Sequence, residues 1–367
     1  MKFVITLGVI FLLSSCGIDD TIDGNDGDSG SSSGWEKEWS SESVDSLYSI
    51  GISSDNTIYV AGKTNGNLYS ELSTKYDAFL AVFNPKGEEL WGKQWATFDD
   101  DNEIKGLAID KEGNIFVGGG GWNSFVMKFS SDGTKIWEKF PGVDSILGLT
   151  LDNSGNIYAG TMYGDILKFS SNGDEKIIYN NFSNEHGETS VFALTIDSEG
   201  NLFAGGMTQV DLFTENNGET DAFLVKIAPD GTHIWEKQWG SETYDRLYAL
   251  AIDNEDNVYV AGGTHGTTEI LLKFSSDGKK IWGNGGTGIN YQSLALDSEN
   301  NIYVGVGENH NLVDKYSSNG EKIWSSDDEV KWDWGATGAA LDSNGNLYVC
   351  GGTSKNHLIK IPASEMR

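Results

Sequence analysis

Proline and cysteine are scarce, 4 and 2 in 367 residues, and 25 Lys and Arg face 55 Asp and Glu. Two cysteines cannot build a disulfide scaffold. A formal charge of −30 leaves no basic face for phosphates, which excludes nucleic acid as a partner. The apolar run at residues 3–13 is too short to span a bilayer. Phosphate-loop, zinc-protease and Cys-x-x-Cys signatures are absent. What is abundant is glycine, 47 residues, with aromatics at 11%. That mixture calls for many short strands joined by tight turns, and 38% apolar residues suffice for a large core.

The first residues read as a targeting segment. Lys2 precedes the apolar stretch, which ends in Leu13-Ser14-Ser15-Cys16. An aliphatic residue, two small residues and Cys resemble the lipobox of bacterial lipoproteins. The resemblance implies a signal peptide over residues 1–15, acylation of Cys16, and anchoring through lipid alone, to which several acyl chains give firm hold. Residues 16–34 then form a lipidated Cys and an acidic Gly/Ser tether too polar to bury a core. Asp23, Asn25 and Asp28 suggest a calcium loop, but Gly27 stands where an oxygen ligand is needed. The Asp19-Asp20 pair is compatible with outer-membrane sorting or surface export. The expected location is a bacterial cell envelope, most simply the outer membrane, on its periplasmic side or at the cell surface. Cys350, preceded by Leu347-Tyr348-Val349, reads as a small buried strand residue.

Residues 35–367 repeat one unit. An apolar strand, an Asp, a short turn, an Asn and a Tyr- or Phe-bearing strand ending in Gly recur, as in Leu107–Gly118 and Leu250–Gly262. The Asp-equivalent positions are Ser53, Asp110, Asp152, Asp197, Asp253, Asp297 and Asp342, spaced by 42 to 57 residues. Such periods mean stacked supersecondary units. The repeated Asp is read structurally, bonding the amides of its own turn. A second hairpin follows each time, with a Ser-Ser-Asp-Gly-like turn and a Trp strand, as in Phe125–Trp137. Each unit thus supplies four strands.

The last unit lacks its Trp strand, and Gly34-Trp35-Glu36-Lys37-Glu38-Trp39 matches the Trp strands Leu90–Trp95 and Ile234–Trp239. The opening segment can therefore complete the last unit, and a ring closes this way. The Asp-x-x-Gly-Asn pattern and the Asp77–Phe83 and Asp221–Ile227 cores resemble the bacterial β-propeller repeat family. The fold expected is all-β: a seven-bladed β-propeller of four-stranded antiparallel blades, one unit over residues 35–367. The resemblance says almost nothing of activity. Trp35, Trp91, Trp137, Trp235, Trp282 and Trp324 should pack between blades, and Ile178 breaks that pattern in the third. The tryptophan-docking repeat of quinoprotein enzymes is also similar, but those have eight blades and a cofactor pocket.

Length varies only in the loops between second and third strands and between blades, which share one face. The longest are Lys63–Tyr76 and Met207–Thr220. Long loops on a rigid frame usually carry binding. Eight residues before the repeated Asp stand Asp45, Asn102, Asp144 and Asp245, with Thr189, Ile289 and Trp334 in the other units. Near a channel mouth these oxygens can hold a hard cation such as Ca²⁺, or cap the turns entering the inner strands. Trp122, Trp332, Trp334, Tyr163, Tyr244 and Tyr291 are expected on loops of this face, where aromatics stack on sugars or anchor proteins. His265, His310 and His357 follow the second strand in three consecutive units and can ligate a metal or stay exposed; His186 is ambiguous in the same way.

The expectation is a non-catalytic binding or scaffold lipoprotein holding a protein or glycan partner at this face, with no catalytic residues and no assured cofactor. The alternatives are a metal-dependent lyase or hydrolase using the histidines, and a structural envelope component like the propeller lipoprotein that assists outer-membrane barrel assembly.

Overall fold

The structure, a computed structural model, describes residues 34–41, 43–97, 101–121, 123–179, 189–266, 269–285, 288, 290–307, 312–326, 335–352 and 355–366. The signal segment, Cys16 and the tether up to residue 33 lie outside them. The described chain forms seven four-stranded antiparallel sheets. In the first blade the inner strand is Asp45–Ile52, the second Ile58–Thr64, the third Asp77–Phe83 and the outer Glu89–Trp95. The next five blades repeat this order with inner strands Ile104–Ile109, Ile146–Leu151, Thr189–Ile196, Asp245–Ile252 and Tyr291–Leu296.

The seventh blade is built from both chain ends. Strands Ala336–Leu341, Leu347–Gly351 and Asn356–Ile361 are completed by Trp35–Trp39, which pairs antiparallel with Trp35 opposite Lys360 and Trp39 opposite Asn356. The ring is also tied at its centre. Thr337 Oγ1 in the last blade donates to the Leu47 carbonyl of the first at 2.8 Å.

Second and third strands are covered on both sides by neighbouring blades, so they read as unbroken apolar runs rather than alternating ones. Asp77–Phe83 is buried along its whole length, while outer strands carry exposed aliphatics such as Leu90 and Ile281. Among the described residues, seven apolar clusters fill the interfaces between successive blades, the last joining Tyr348 and Leu358 to Leu47 and Phe79.

The repeated Asp does the work expected of it. Asp110 accepts from the amides of Glu112 (3.1 Å) and Asn114 (2.8 Å), and from Asn114 Nδ2 (2.7 Å). A left-handed residue closes this turn: Gly113, Gly155, Gly200 and Gly345 in four blades, Asn56, Asp256 and Asn300 in the others. Asn and Asp are the side chains that best tolerate positive φ. The pattern extends into the blade. Tyr259 donates to Asp253 at 3.2 Å, and Lys273 of the third strand reaches Tyr259 Oη at 2.6 Å and Asp253 at 3.1 Å. Where the second strand carries Phe, the lysine sits over the ring, as Lys226 does on Phe203 at 5.0 Å.

The tryptophans bind blade to blade. Trp91 Nε1 donates to Ser131 O at 3.2 Å, Trp137 to Ser171 O at 3.2 Å and Trp282 to Ser318 O at 3.1 Å. Each indole covers a turn glycine of the next blade; a Cβ on Gly278 would lie 2.9 Å from the Trp235 ring. In the third blade the register sets Lys176 opposite Lys168, where Trp137 faces Lys128 in the second. Ile178, expected in the Trp place, lies two residues on and packs on the apolar cluster that also takes Leu212 and Phe213 of the long loop.

Candidate functional site at the channel mouth

The seven inner strands surround a central channel of about 450 Å³. In every blade the inner strand carries a register shift against the second strand: Leu47/Ser49, Ile104/Gly106, Ile146/Gly148, Val191/Ala193, Leu247/Ala249, Tyr291/Ser293 and Ala336/Gly338. A bulge leaves one extra residue unpaired and re-aims its side chain. The extra residues are Tyr48, Lys105, Leu147, Phe192, Tyr248, Gln292 and Thr337, and all seven line the channel. An aliphatic belt of Ile50, Leu107, Leu149, Leu194, Leu250 and Leu294 lines it as well. The bulged ring is the structural feature that reading the sequence missed. Its signal was there: each member lies five residues before an Asp-equivalent position.

The ring is chemically uneven. At the first two blades, Lys63 Nζ lies 3.2 Å from Asp101 and 3.1 Å from Glu103, and Lys105 Nζ lies 2.6 Å from Glu103. Burial alone would lower the Lys63 pKa; Tyr48, Glu103 and Asp101 outweigh it and raise it above the ordinary value. Burial, reinforced by Glu103, pushes the Tyr48 phenol up. This side of the mouth is charge-neutralised by its own groups. Across the ring, Phe192 packs on Tyr248 with centroids 5.7 Å apart, Arg246 Nη1 lies 3.4 Å from Tyr248 Oη, and the guanidinium sits 5.6 Å over Tyr244.

Of the aromatics expected at this face, Tyr244 is 41% exposed beside Arg246, and Tyr163 is half-buried in the turn between second and third strands of its blade. Tyr291 is a correction. It begins an inner strand, is buried, and its hydroxyl bonds Tyr316 Oη at 2.5 Å. It occupies the inward position filled by Leu47, Ile104, Ile146, Val191, Leu247 and Ala336 in the other blades, so the core claims it. Trp122, Trp332 and Trp334 lie outside the described residues.

Three of the four oxygen-bearing residues hold turns. Asp45 accepts from Ser41 N at 2.6 Å and Ser41 Oγ at 2.8 Å, and Asp245 from Ser241 N and Oγ, each at 2.7 Å. Asn102 accepts from Thr97 N at 2.9 Å and donates to the Tyr76 carbonyl at 3.0 Å. Asp144 is half-buried. Among the described residues, no three His, Cys, Asp or Glu side chains are grouped to hold a metal ion. The histidines are not equivalent either. His265 is exposed against Tyr244, whereas His357 lies inside a third strand with Nδ1 3.4 Å from Glu36. His310 and His186 lie outside the described residues.

The two long loops are tied down rather than free. Gln94 Oε1 accepts from Leu68 N (2.9 Å) and Tyr69 N (3.0 Å), while its amide donates to Gly66 O (2.9 Å) and Asp77 (3.0 Å). Gln238 repeats this in the fourth blade with Phe213 N at 2.9 Å and Asp221 at 3.1 Å. Their apolar tips, Leu68 and Tyr69 or Leu212 and Phe213, pack into the interblade clusters. The loops therefore wall the face around the channel mouth.

No family model and no curated protein matches the chain. Solved structures do. The virginiamycin B lyase of Staphylococcus aureus, in a catalytically inactive form with quinupristin, gives a TM-score of 0.62 at 12% identity over 90% of this chain and 100% of that one. The WD40 propeller domain of Doa1 gives 0.59 at 12% over 88% and 95%. The propeller domain of Myceliophteria thermophila Cps50 (Swd1) gives 0.59 at 13% over 86% and 96%. At these identities the likeness is one of fold, and on that ground the chain is similar to seven-bladed β-propellers of unlike roles.

Proposed function

We propose that this protein is a lipid-anchored envelope propeller that binds a protein or glycan partner at its channel mouth and performs no chemistry on it. One observation carries the reading. A frame that repeats its Asp turns, Trp contacts and bulges blade after blade places dissimilar side chains at seven equivalent positions. Packing alone favours one chemical kind, as at the buried inward position beside the bulge, which is aliphatic in six of seven blades; a recognition surface needs aromatic, cationic, amide and apolar groups at defined places. The lipobox at Cys16 and the acidic tether support a module held at a membrane surface with its propeller free to reach a partner.

The test is crosslinking in intact cells followed by capture. The triple change Tyr48→Ala, Phe192→Ala and Tyr248→Ala should abolish the crosslinked partner while the melting temperature shows a folded ring. Undiminished capture would refute the placement of the binding face. Cys16→Ser should release the chain from the membrane fraction, and membrane retention of that variant would refute the anchor.

A further inference from the structure

Arg246 is the one arginine within the propeller strands, the other being Arg367 at the chain end. In a chain of charge −30, it makes no ion pair among the described residues. Among the described residues its Nε is buried without a partner, and so is Asn290 Oδ1 in the next blade. These groups are neighbours. Gly263 pairs with Arg246 across the strands and bridges to Asn290, and a Cβ there would fall 2.7 Å from Asn290 Oδ1 and 3.2 Å from the Tyr248 ring. Leaving a buried donor or acceptor unmet costs about 1–3 kcal/mol each. A bound acceptor would satisfy the guanidinium N–H, and Tyr248, which Arg246 meets at 3.4 Å, lines the channel.

Resting on the binding reading above, we infer that Arg246 with Tyr248, Asn290 and Gln292 forms a recognition site for a single carboxylate carried on an apolar body, as a peptide's C-terminal residue or a short free acid carries it. A guanidinium matches a carboxylate two bonds at a time. A phosphate or other multiply charged anion fits less well, because Lys63 and Lys105 are already paired with Asp101 and Glu103 and the net charge repels it. The body of the ligand meets Phe192, Leu194, Leu250 and Leu294, which line the channel with Tyr248 and Gln292. A volume of about 450 Å³ suits a small ligand.

The probes are N-acetyl-Ala-Ala-Leu and octanoate, each against its own amide, titrated calorimetrically into the full chain in detergent. At least one acid should bind and its amide bind about tenfold or more weakly. The tripeptide binding alone marks a peptide terminus as the source; octanoate binding alone marks a free acid. Arg246→Gln should lose the acid's advantage over the amide, Arg246→Lys should keep part of it, and Lys135→Gln should change nothing. Acid and amide binding alike, or an Arg246→Gln chain that still discriminates, overturns the assignment. If Arg246→Gln fails to fold, Arg246→Lys and the loss of acid binding on raising salt serve the same end. Absence of binding by both acids, alongside partner capture lost in the aromatic triple variant, sinks the carboxylate site and leaves the broader reading standing.

Discussion

Trp35 donates its indole N–H to the carbonyl of Pro85, 3.1 Å away and 50 residues along the chain. The same ring lies 3.0 Å from where a Cβ on Gly87 would stand. This contact carries the closing strand of the last blade onto the first, and it repeats between Trp235 and Gly278 inside the ring. Gly278 has φ of +83° as well as the indole against it. Gly278→Ala should therefore cost about 1–3 kcal/mol. Denaturant unfolding checks it, and a loss under a few tenths of a kcal/mol would show that the indole can move aside.

Removal of residues 35–39 should do far more. It strips Asn356–Ile361 of its partner strand and takes the Trp35 and Trp39 contacts with it. The truncated chain should melt well below the intact one and gain a tendency to associate through the open edge. Equal melting temperatures would mean that the ring is not held by this strand.

Acid should weaken the buried Asp–Lys pairs. Burial pushes the Asp253 carboxyl up, but bonds from Asn257 and Lys273 outweigh it and hold it below its ordinary value. A carboxyl depressed in the folded state stabilises above its unfolded value, about 4, and loses that contribution as pH falls through the folded value. Asp253→Asn should cost about 1–3 kcal/mol at neutral pH and progressively less below pH of about 4. Paired denaturation curves across that range test the sign.

Gln94 fastens the first long loop to its blade through two loop amides and Asp77. Gln94→Ala should leave those groups unmet, and hydrogen exchange at Leu68 and Tyr69 should quicken by more than at Val60 in the core. Equal protection in both proteins would mean that the apolar tip alone holds the loop.

Cys350 is fully buried, and burial pushes its thiol up to about 12. In a Cys16→Ser chain the single thiol should ignore an aromatic disulfide reagent at pH of about 8 and react fully once denatured. Reaction in the folded state would reveal an opening of the seventh blade.

How much of this could be read in advance depends on whether a feature lives in side-chain identity or in backbone register. The Asp110 turn, the Trp91 strand and the match between Trp35–Trp39 and the other outer strands repeat as letters, so blades and closure were legible. Tyr291 was misplaced because an aromatic before a short strand resembles a rim residue; only its alignment with Leu47 and Ile104 reveals the core position. The long loops Lys63–Tyr76 and Met207–Thr220 suggested free binding surfaces. The counter-signal was the Lys-Gln-Trp run at Lys93–Trp95 and Lys237–Trp239, which accompanies them and supplies the clamping Gln. The bulged ring stayed hidden because a bulge is a register shift, and its seven residues share too little chemistry to look like a repeat.

The channel mouth as the working face is tested most directly by photocrosslinking in cells. A benzophenone amino acid is placed in turn at Leu147 and Gln292 on the ring, and at Asp132 and Glu255 in exposed turns of the opposite face. One shared adduct should form from the first two positions and none from the others; an adduct from Asp132 or Glu255 with silence at Leu147 and Gln292 would contradict the channel mouth as the working face.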